Sequence, residues 1–191
     1  HLFEAIGRRK TAVARVHLQA GNSKEFMVSG KPLDKYFLAA PELQQIALRP
    51  APTSAASQGI VTALFDLIKQ HDFKAEHTKH LRIHVSPACF EAYKDRRDYN
   101  GKWEASASLH YTAAVVLHDR ELWLDQFEPR RYDDPALKRY SKECVELLGD
   151  QKLSAEQAVV QAEMYDGSVL STHCKASKGT PENPLTRAEI E

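Results

Sequence analysis

Within one otherwise apolar stretch of this chain, SLHYTAAVVL, two residues could do chemistry: His110 and Tyr111. A phenol among Ala, Val and Leu residues puts a hydroxyl where packing needs only an apolar body, and that hydroxyl can donate to a carboxylate or carry a proton. A core tyrosine with its hydroxyl at the rim is the plainer reading from residue types alone. A second group is electrostatic. Arg8, Arg9 and Lys10 follow Gly7 directly, with Arg15 five residues on. Such a run can lay its cations against phosphates, the source of most non-specific nucleic-acid affinity, or it can simply keep an edge strand from pairing. His71, His77, His80 and His84 crowd one stretch. Their spacing fits no compact ligand motif and no cysteine or carboxylate completes a set, so solvated histidines are expected rather than a metal site. Cys89, Cys144 and Cys174 form no C-x-x-C pair, which predicts reduced thiols and a cytoplasmic setting. Phosphate-loop, dinucleotide, zinc-protease and serine-hydrolase motifs are absent.

The elements that must hold these residues follow from periodicity. Alternation over 13–18 predicts a half-exposed strand, and Gly21-Asn22 a turn into a second short strand over 25–29, together a first hairpin. Short helices are expected over 32–37 and 41–48. Ile60, Leu64, Leu67 and Ile68 share one helical face, with Ser57 or Ser54 as its cap. Leu81, Ile83 and Val85 alternate with Arg82 and His84 in a strand ended by Pro87, and a polar and aromatic connection follows over 88–103. A helix from Glu104 to Leu117 carries Tyr111. Asp134-Pro135 caps and opens another helix. Strands follow over 144–148 and 158–164, and Asp166-Gly167 turns the second of these into 169–174. The sum is an α+β, lid-type domain with helices on one face of a largely antiparallel sheet, preceded by a small β-hairpin and helix segment.

Length bounds the chain at one good core or two small ones, since it has 191 residues. No stretch approaches the roughly 20 apolar residues that a membrane span needs. The zero net charge conceals an asymmetry: residues 1–50 hold eight Lys/Arg against four Asp/Glu, and the remainder 18 against 22. The segment RPAPTS, 49–54, has two prolines and no apolar anchor, so it is the expected boundary between a basic 1–50 segment and a 51–191 domain. A first residue His1 in place of Met and an abrupt change at this boundary predict a fragment, or a chimera assembled from two sources.

Two resemblances carry the functional expectations. From Thr53 onward the helix SAASQGIVTALFDLIKQH, the strand HLRIHVSP, the segment EASASLHYTAAVVLHDRELWLDQF, then RYDDPALKRYSKEC, MYDGS and the closing KGTPENPLTRAEIE resemble, in order, the smaller lid domain of the MmgE/PrpD family, which includes 2-methylcitrate dehydratase. The resemblance implies a cofactor-independent, metal-free lyase or isomerase acting on a small polycarboxylate, with its active site between the lid and a helical domain. It also implies a chain inactive without that domain, and commonly a homodimer. Tyr111 matches the family's catalytic tyrosine, and Lys178 of the KGTPENPLT close is expected to bind substrate. The family's lysine, in a K-P-Y-P-like turn, falls on Arg49, which cannot act as a base because its pKa lies above about 12 but can hold a carboxylate bidentately. The histidine that often follows that turn falls near Gln58.

Residues 3–50 instead resemble the opening of the small-subunit ribosomal protein S-nine, through FEAIGRRKTAVARVHLQAG, EFMVSGKPLDKYF and PELQQIALRP. That family's basic strand contacts ribosomal RNA, which makes Arg8, Arg9, Lys10 and Arg15 the RNA-binding candidates of an alternative reading. Its Gly-rich second half and Lys/Arg-rich tail have no counterpart here. An unpaired apolar face on the 55–70 or 104–118 helix, where present, would mark the place at which a helical domain docks.

Overall fold

The computed structural model describes residues 2–9, 12–19, 27–32, 35, 51, 53–180 and 182–184, and the chain divides into two units, His1–Gln44 and Gln45–Glu191. In the first, β1 (Leu2–Arg9) pairs antiparallel with β2 (Ala12–Gln19), Arg8 opposite Val13 and Arg9 opposite Ala12. This corrects the expected hairpin, which paired 13–18 with 25–29. The preceding segment offers β2 a partner along its whole length, whereas the described part of the later one, β3 (Met27–Val28), pairs with β4 (Lys31–Pro32). Ser29 and Gly30 make that turn at positive φ, 51° and 75°, and Pro32 has no N–H with which to extend the ladder. The short helices expected over 32–37 and 41–48, and the turn at Gly21-Asn22, lie almost wholly outside the described residues.

In the second unit a 3-10 turn at Ala55–Ser57 runs directly into α1 (Gln58–His71). Its stripe of Ile60, Leu64, Leu67 and Ile68 is buried, and each such side chain contributes roughly 1.5–3 kcal/mol. The strand β5 (Thr78–Val85) follows, then α2 (Pro87–Tyr93), α3 (Lys102–Ala107), α4 (Leu109–Asp119), a 3-10 turn at Leu124–Phe127, α5 (Pro129–Tyr132) and α6 (Pro135–Glu143). Three strands close the unit: β6 (Val145–Gly149), β7 (Ala158–Met164) and β8 (Val169–Cys174). The sheet order is β6-β5-β7-β8, with β5 and β6 parallel and the other two pairings antiparallel. Leu81, Ile83, Val85, Val145, Leu147, Val160 and Ala162 turn inward and are buried. There α1 lies on β7 and β8, while α2, α4 and α6 lie against β6. The other face keeps charged pairs in water, such as Arg82 with Glu163 at 2.9 Å and Glu146 at 3.4 Å. The α+β reading with helices on one face of a largely antiparallel sheet is therefore the observed architecture.

Three local features differ from expectation. The expected 104–117 helix is two helices, because Ser108 adopts extended backbone (φ −85°, ψ 116°) and its hydroxyl accepts the Tyr111 N–H at the start of α4. The expected connection over 88–103 begins with α2, opened by Pro87 and capped by Ser86, whose hydroxyl accepts the Cys89 N–H. Neither Ser54 nor Ser57 caps α1 through its side chain. α4 is buried from Leu109 to Leu117, and α1 from Gln58 to Leu64 and at Leu67 and Ile68, so neither presents an unpaired apolar face. Instead the large exposed apolar groups near α4 are Trp103 on α3 (84% exposed) with Trp123 and Leu124 (55% and 51%). Among the described residues, no helix is long and apolar enough to cross a membrane.

Candidate functional site

Tyr111 is the residue on which the chemical expectation rests, and its side chain is fully buried. Its ring packs tilted between Tyr99, at 4.8 Å between centroids, and Phe127, at 5.9 Å. Its hydroxyl donates to the backbone carbonyl of Gln126. Burial, and then the neighbouring Tyr99, push the phenol above its ordinary range, so it is a neutral donor and not a base. The turn that supplies the carbonyl is itself fastened. Gln126 accepts the Trp123 N–H at 2.8 Å and donates to Asp119 at 3.3 Å. Asp119 takes both oxygens' worth of hydrogen bonds from Arg131 Nε, at 3.0 and 2.9 Å, and Arg131 Nη1 reaches Asp134 at 2.8 Å. Asp134 in turn accepts the Ala136 and Leu137 N–H groups at the start of α6, the cap that its pairing with Pro135 predicts. Charge-assisted bonds of this kind are shorter and stronger than neutral ones.

His110, beside Tyr111, is 1% exposed and neither ring nitrogen has a hydrogen-bond partner. Burial first, and then Arg97, push its pKa down to about 4. The imidazole is therefore neutral at physiological pH.

Three sequence-distant pieces meet at the first turns of α1. Thr53 donates to the Ser106 carbonyl at 3.0 Å and touches Ser57 Oγ at 2.9 Å and Thr112 Oγ1 at 3.4 Å. Ser57 donates to the Ser54 carbonyl at 2.7 Å. Gln58 Nε2 donates to the Ala51 carbonyl at 3.1 Å. One turn further, Thr62 Oγ1 accepts the Lys178 N–H at 2.9 Å, which fastens the closing loop to α1. Asn183 holds that loop by donating to the Ala176 carbonyl and by accepting the Gly179 N–H on its own carbonyl. A close approach fixes the helix start: a Cβ on Gly59 would stand 2.6 Å from the Glu156 carbonyl oxygen.

The structure thus brings the 51–58 segment, the start of α4 and the Lys178 loop together. The Tyr111 hydroxyl points elsewhere, into the Gln126 turn. Arg49 lies outside the described residues, as do Lys10 and the side chains of Arg8 and Arg9; Arg15 lies on β2 opposite Ile6 and is exposed. A groove of about 660 Å³ at the far end of α4, lined by His118, Arg139 and Tyr140 among others, holds none of these candidates. Two of its cations are already matched, Arg120 by Asp72 and Lys74 by Glu76 at 3.9 Å. Sequence reasoning missed Gln126, Asp119 and Arg131. Only Ser108 left a readable signal, a serine placed directly before an apolar helical run.

Two family models match the chain. One, the MmgE/PrpD C-terminal domain, matches residues 52–191. The other, ribosomal protein S9/S16, matches residues 7–62. They overlap over 52–62, where Ile60 and Val61 belong to the core of the second unit.

Proposed function

The chain belongs to the MmgE/PrpD family through residues 52–191, and we propose that this part serves as the smaller, lid-type domain of a lyase or isomerase. Its substrate class is a small polycarboxylate such as 2-methylcitrate, and turnover needs the family's helical domain as partner. The observation that supports this reading is the convergence on α1 of three motif segments far apart in sequence: 51–58, the start of α4, and the loop of Lys178. A polycarboxylate needs donors and cations from more than one direction, and loops gathered at a helix start supply them. In this reading Arg49 holds a carboxylate, Lys178 a second, and Tyr111 donates a hydrogen bond or a proton. The phenol must first leave the Gln126 carbonyl, so catalysis requires the Leu124–Phe127 turn to shift when the helical domain docks. The exposed Trp103, Trp123 and Leu124 beside that turn are the surface on which it would dock. The ribosomal likeness covers the smaller share of the chain and stops short of α4 and the Lys178 loop, so it is not the reading adopted.

The test is turnover of 2-methylcitrate and related tricarboxylates on mixing this chain with a separately expressed helical domain of the family. Activity that needs both parts supports the reading. Tyr111→Phe should then lower the rate by about 10²-fold or more while the chain stays folded. Failure of every tri- and dicarboxylate to turn over would sink it.

A further inference from the structure

The Tyr111 hydroxyl is held by a backbone carbonyl, that of Gln126, so whatever places the Leu124–Phe127 turn also places the phenol's acceptor. That turn faces two ways: Leu124 and the preceding Trp123 are exposed, whereas Gln126 and Phe127 are buried. Asp119 ends α4 and Arg131 lies on α5, so their ion pair closes the loop that carries the turn. From inside that loop the Gln126 side-chain amide donates to Asp119 at 3.3 Å. From its end Arg131 reaches forward to Asp134, the N-cap of α6, at 2.8 Å.

One guanidinium therefore fastens three elements. Its Nε and Nη2 donate to Asp119 and its Nη1 to Asp134, a planar fork that a lysine ammonium does not reproduce. Arg131 and Asp119 are sheltered, with side chains 23% and 16% exposed. The other described ion pairs of this loop, Lys102 with Glu128 and Arg130 with Asp125, are 45% to 75% exposed and correspondingly weaker. The bond from phenol to carbonyl is neutral, and weaker than the charge-assisted bonds of the fork. The fork thus decides where the carbonyl stands, and the carbonyl decides whether the hydroxyl is occupied.

We propose that Arg131 is a positioning residue for Tyr111: through Asp119 and Asp134 it holds the turn that occupies the phenol, and loosening this fork releases the hydroxyl. Trp123 and Leu124 give the release its handle, because a surface bound there pulls on the same short turn that ends in Gln126 and Phe127. Arg131 touches no substrate in this scheme and moves no proton. The inference rests on the reading above, in which the turn shifts on docking, and adds the residue that resists the shift.

The first test uses the full chain labelled with ¹³C at the tyrosine Cζ, in equal parts H₂O and D₂O, the Tyr111 line being identified by its loss in Tyr111→Phe. A hydroxyl that exchanges slowly splits this line into protonated and deuterated forms, which is the result expected for the native chain; an unsplit native line overturns the proposal at the outset. Asp134→Asn keeps a side chain that caps α6 but removes the charge that Arg131 Nη1 holds, and Arg131→Lys keeps the charge without the fork. Each should speed hydroxyl exchange about three- to tenfold, the scale of one hydrogen bond. Lys102→Met, on the exposed side of the loop, should leave it unchanged. A purely structural Arg131 would lower the melting temperature and leave the exchange as it was. That outcome in Asp134→Asn overturns the proposal, even where Arg131→Lys does not fold. The second readout is affinity for the separately expressed helical domain. Loosening the fork should tighten docking by the same factor, since less of the binding energy goes into opening the turn; weaker docking overturns the proposal. Faster exchange without turnover of any polycarboxylate sinks the polycarboxylate reading and leaves the positioning role standing.

Discussion

A serine precedes each of the two long helices of the second unit, and the two starts end differently. At α4, the Ser108 hydroxyl accepts the Tyr111 N–H and donates to the Arg96 carbonyl at 2.7 Å. The tyrosine that follows has its own hydroxyl bound to Gln126. At α1, neither Ser54 nor Ser57 caps through its side chain, and the Gln58 amide oxygen is unpaired. The same kind of sequence signal thus produces a closed start in one place and an open one in the other. What separates them is the rest of the chain. The Arg96 carbonyl and the Gln126 turn are delivered to α4 from loops before and after it, whereas the groups delivered to α1, the Ser106 carbonyl and the Lys178 N–H, are taken up by the Thr53 and Thr62 hydroxyls and not by its serines. A side-chain cap adds stability at the one start that the other lacks.

This contrast can be broken by experiment, beginning with the largest effect. Tyr111→Ala empties a fully buried aromatic site and should cost about 3–5 kcal/mol in urea unfolding. A loss under about 1 kcal/mol would mean that the α4 start is not the closed, structural one. Acid comes next. The folded-state pKa of His110 is about 4 against an unfolded value near 6.5, so the unfolded chain takes up the proton first. The stability is present above about pH 6.5 and is lost as pH falls toward 4, by about 3 kcal/mol. His110→Leu should flatten that part of the unfolding free energy plotted against pH, with Arg97 as the charged neighbour to hold constant. Smallest is the pair of caps. Ser108→Ala should cost about 1 kcal/mol, whereas Ser54→Ala, which loses no cap, should stay within about 0.5 kcal/mol. Equal losses in thermal melting would erase the distinction between the two starts.

The sequence reveals these elements unevenly, for physical reasons. Leu81, Ile83 and Val85 announce β5, and Ala158 to Met164 announce β7, because a strand buried on one face alternates strictly. The break at Ser108 leaves one clue, a serine before an apolar run, but the Ala-rich residues on either side keep a helical period across it. The helix α2 has only seven residues, too few for a stripe to rise above its polar neighbours. In the first unit, β1 pairs over its full length although LFEAIGRR shows little alternation, so its place comes from its partner rather than its pattern. At the site, Tyr111 could be singled out as a polar handle in an apolar helix. The destination of its hydroxyl could not, because the acceptor is a backbone carbonyl fifteen positions away, and any residue type offers one of those. The isolation of Gln58 is equally invisible in sequence, since lacking a partner is a property of packing.

The parallel pairing of β5 with β6 has a consequence for the order of events in folding. Parallel neighbours need a crossover, and here it spans residues 86–144, so Tyr99, Tyr111, Asp119, Gln126, Phe127 and Arg131 all belong to one excursion between two adjacent strands. Helices within it can form early and locally, but joining β6 to β5 closes a long loop, a slow step. The tyrosine pocket and the sheet are therefore completed together. A nascent chain that has not yet reached Gly149 has no β6 to seal the excursion, and a backbone cut anywhere inside 86–144 leaves β6 held to β5 by non-covalent contacts alone.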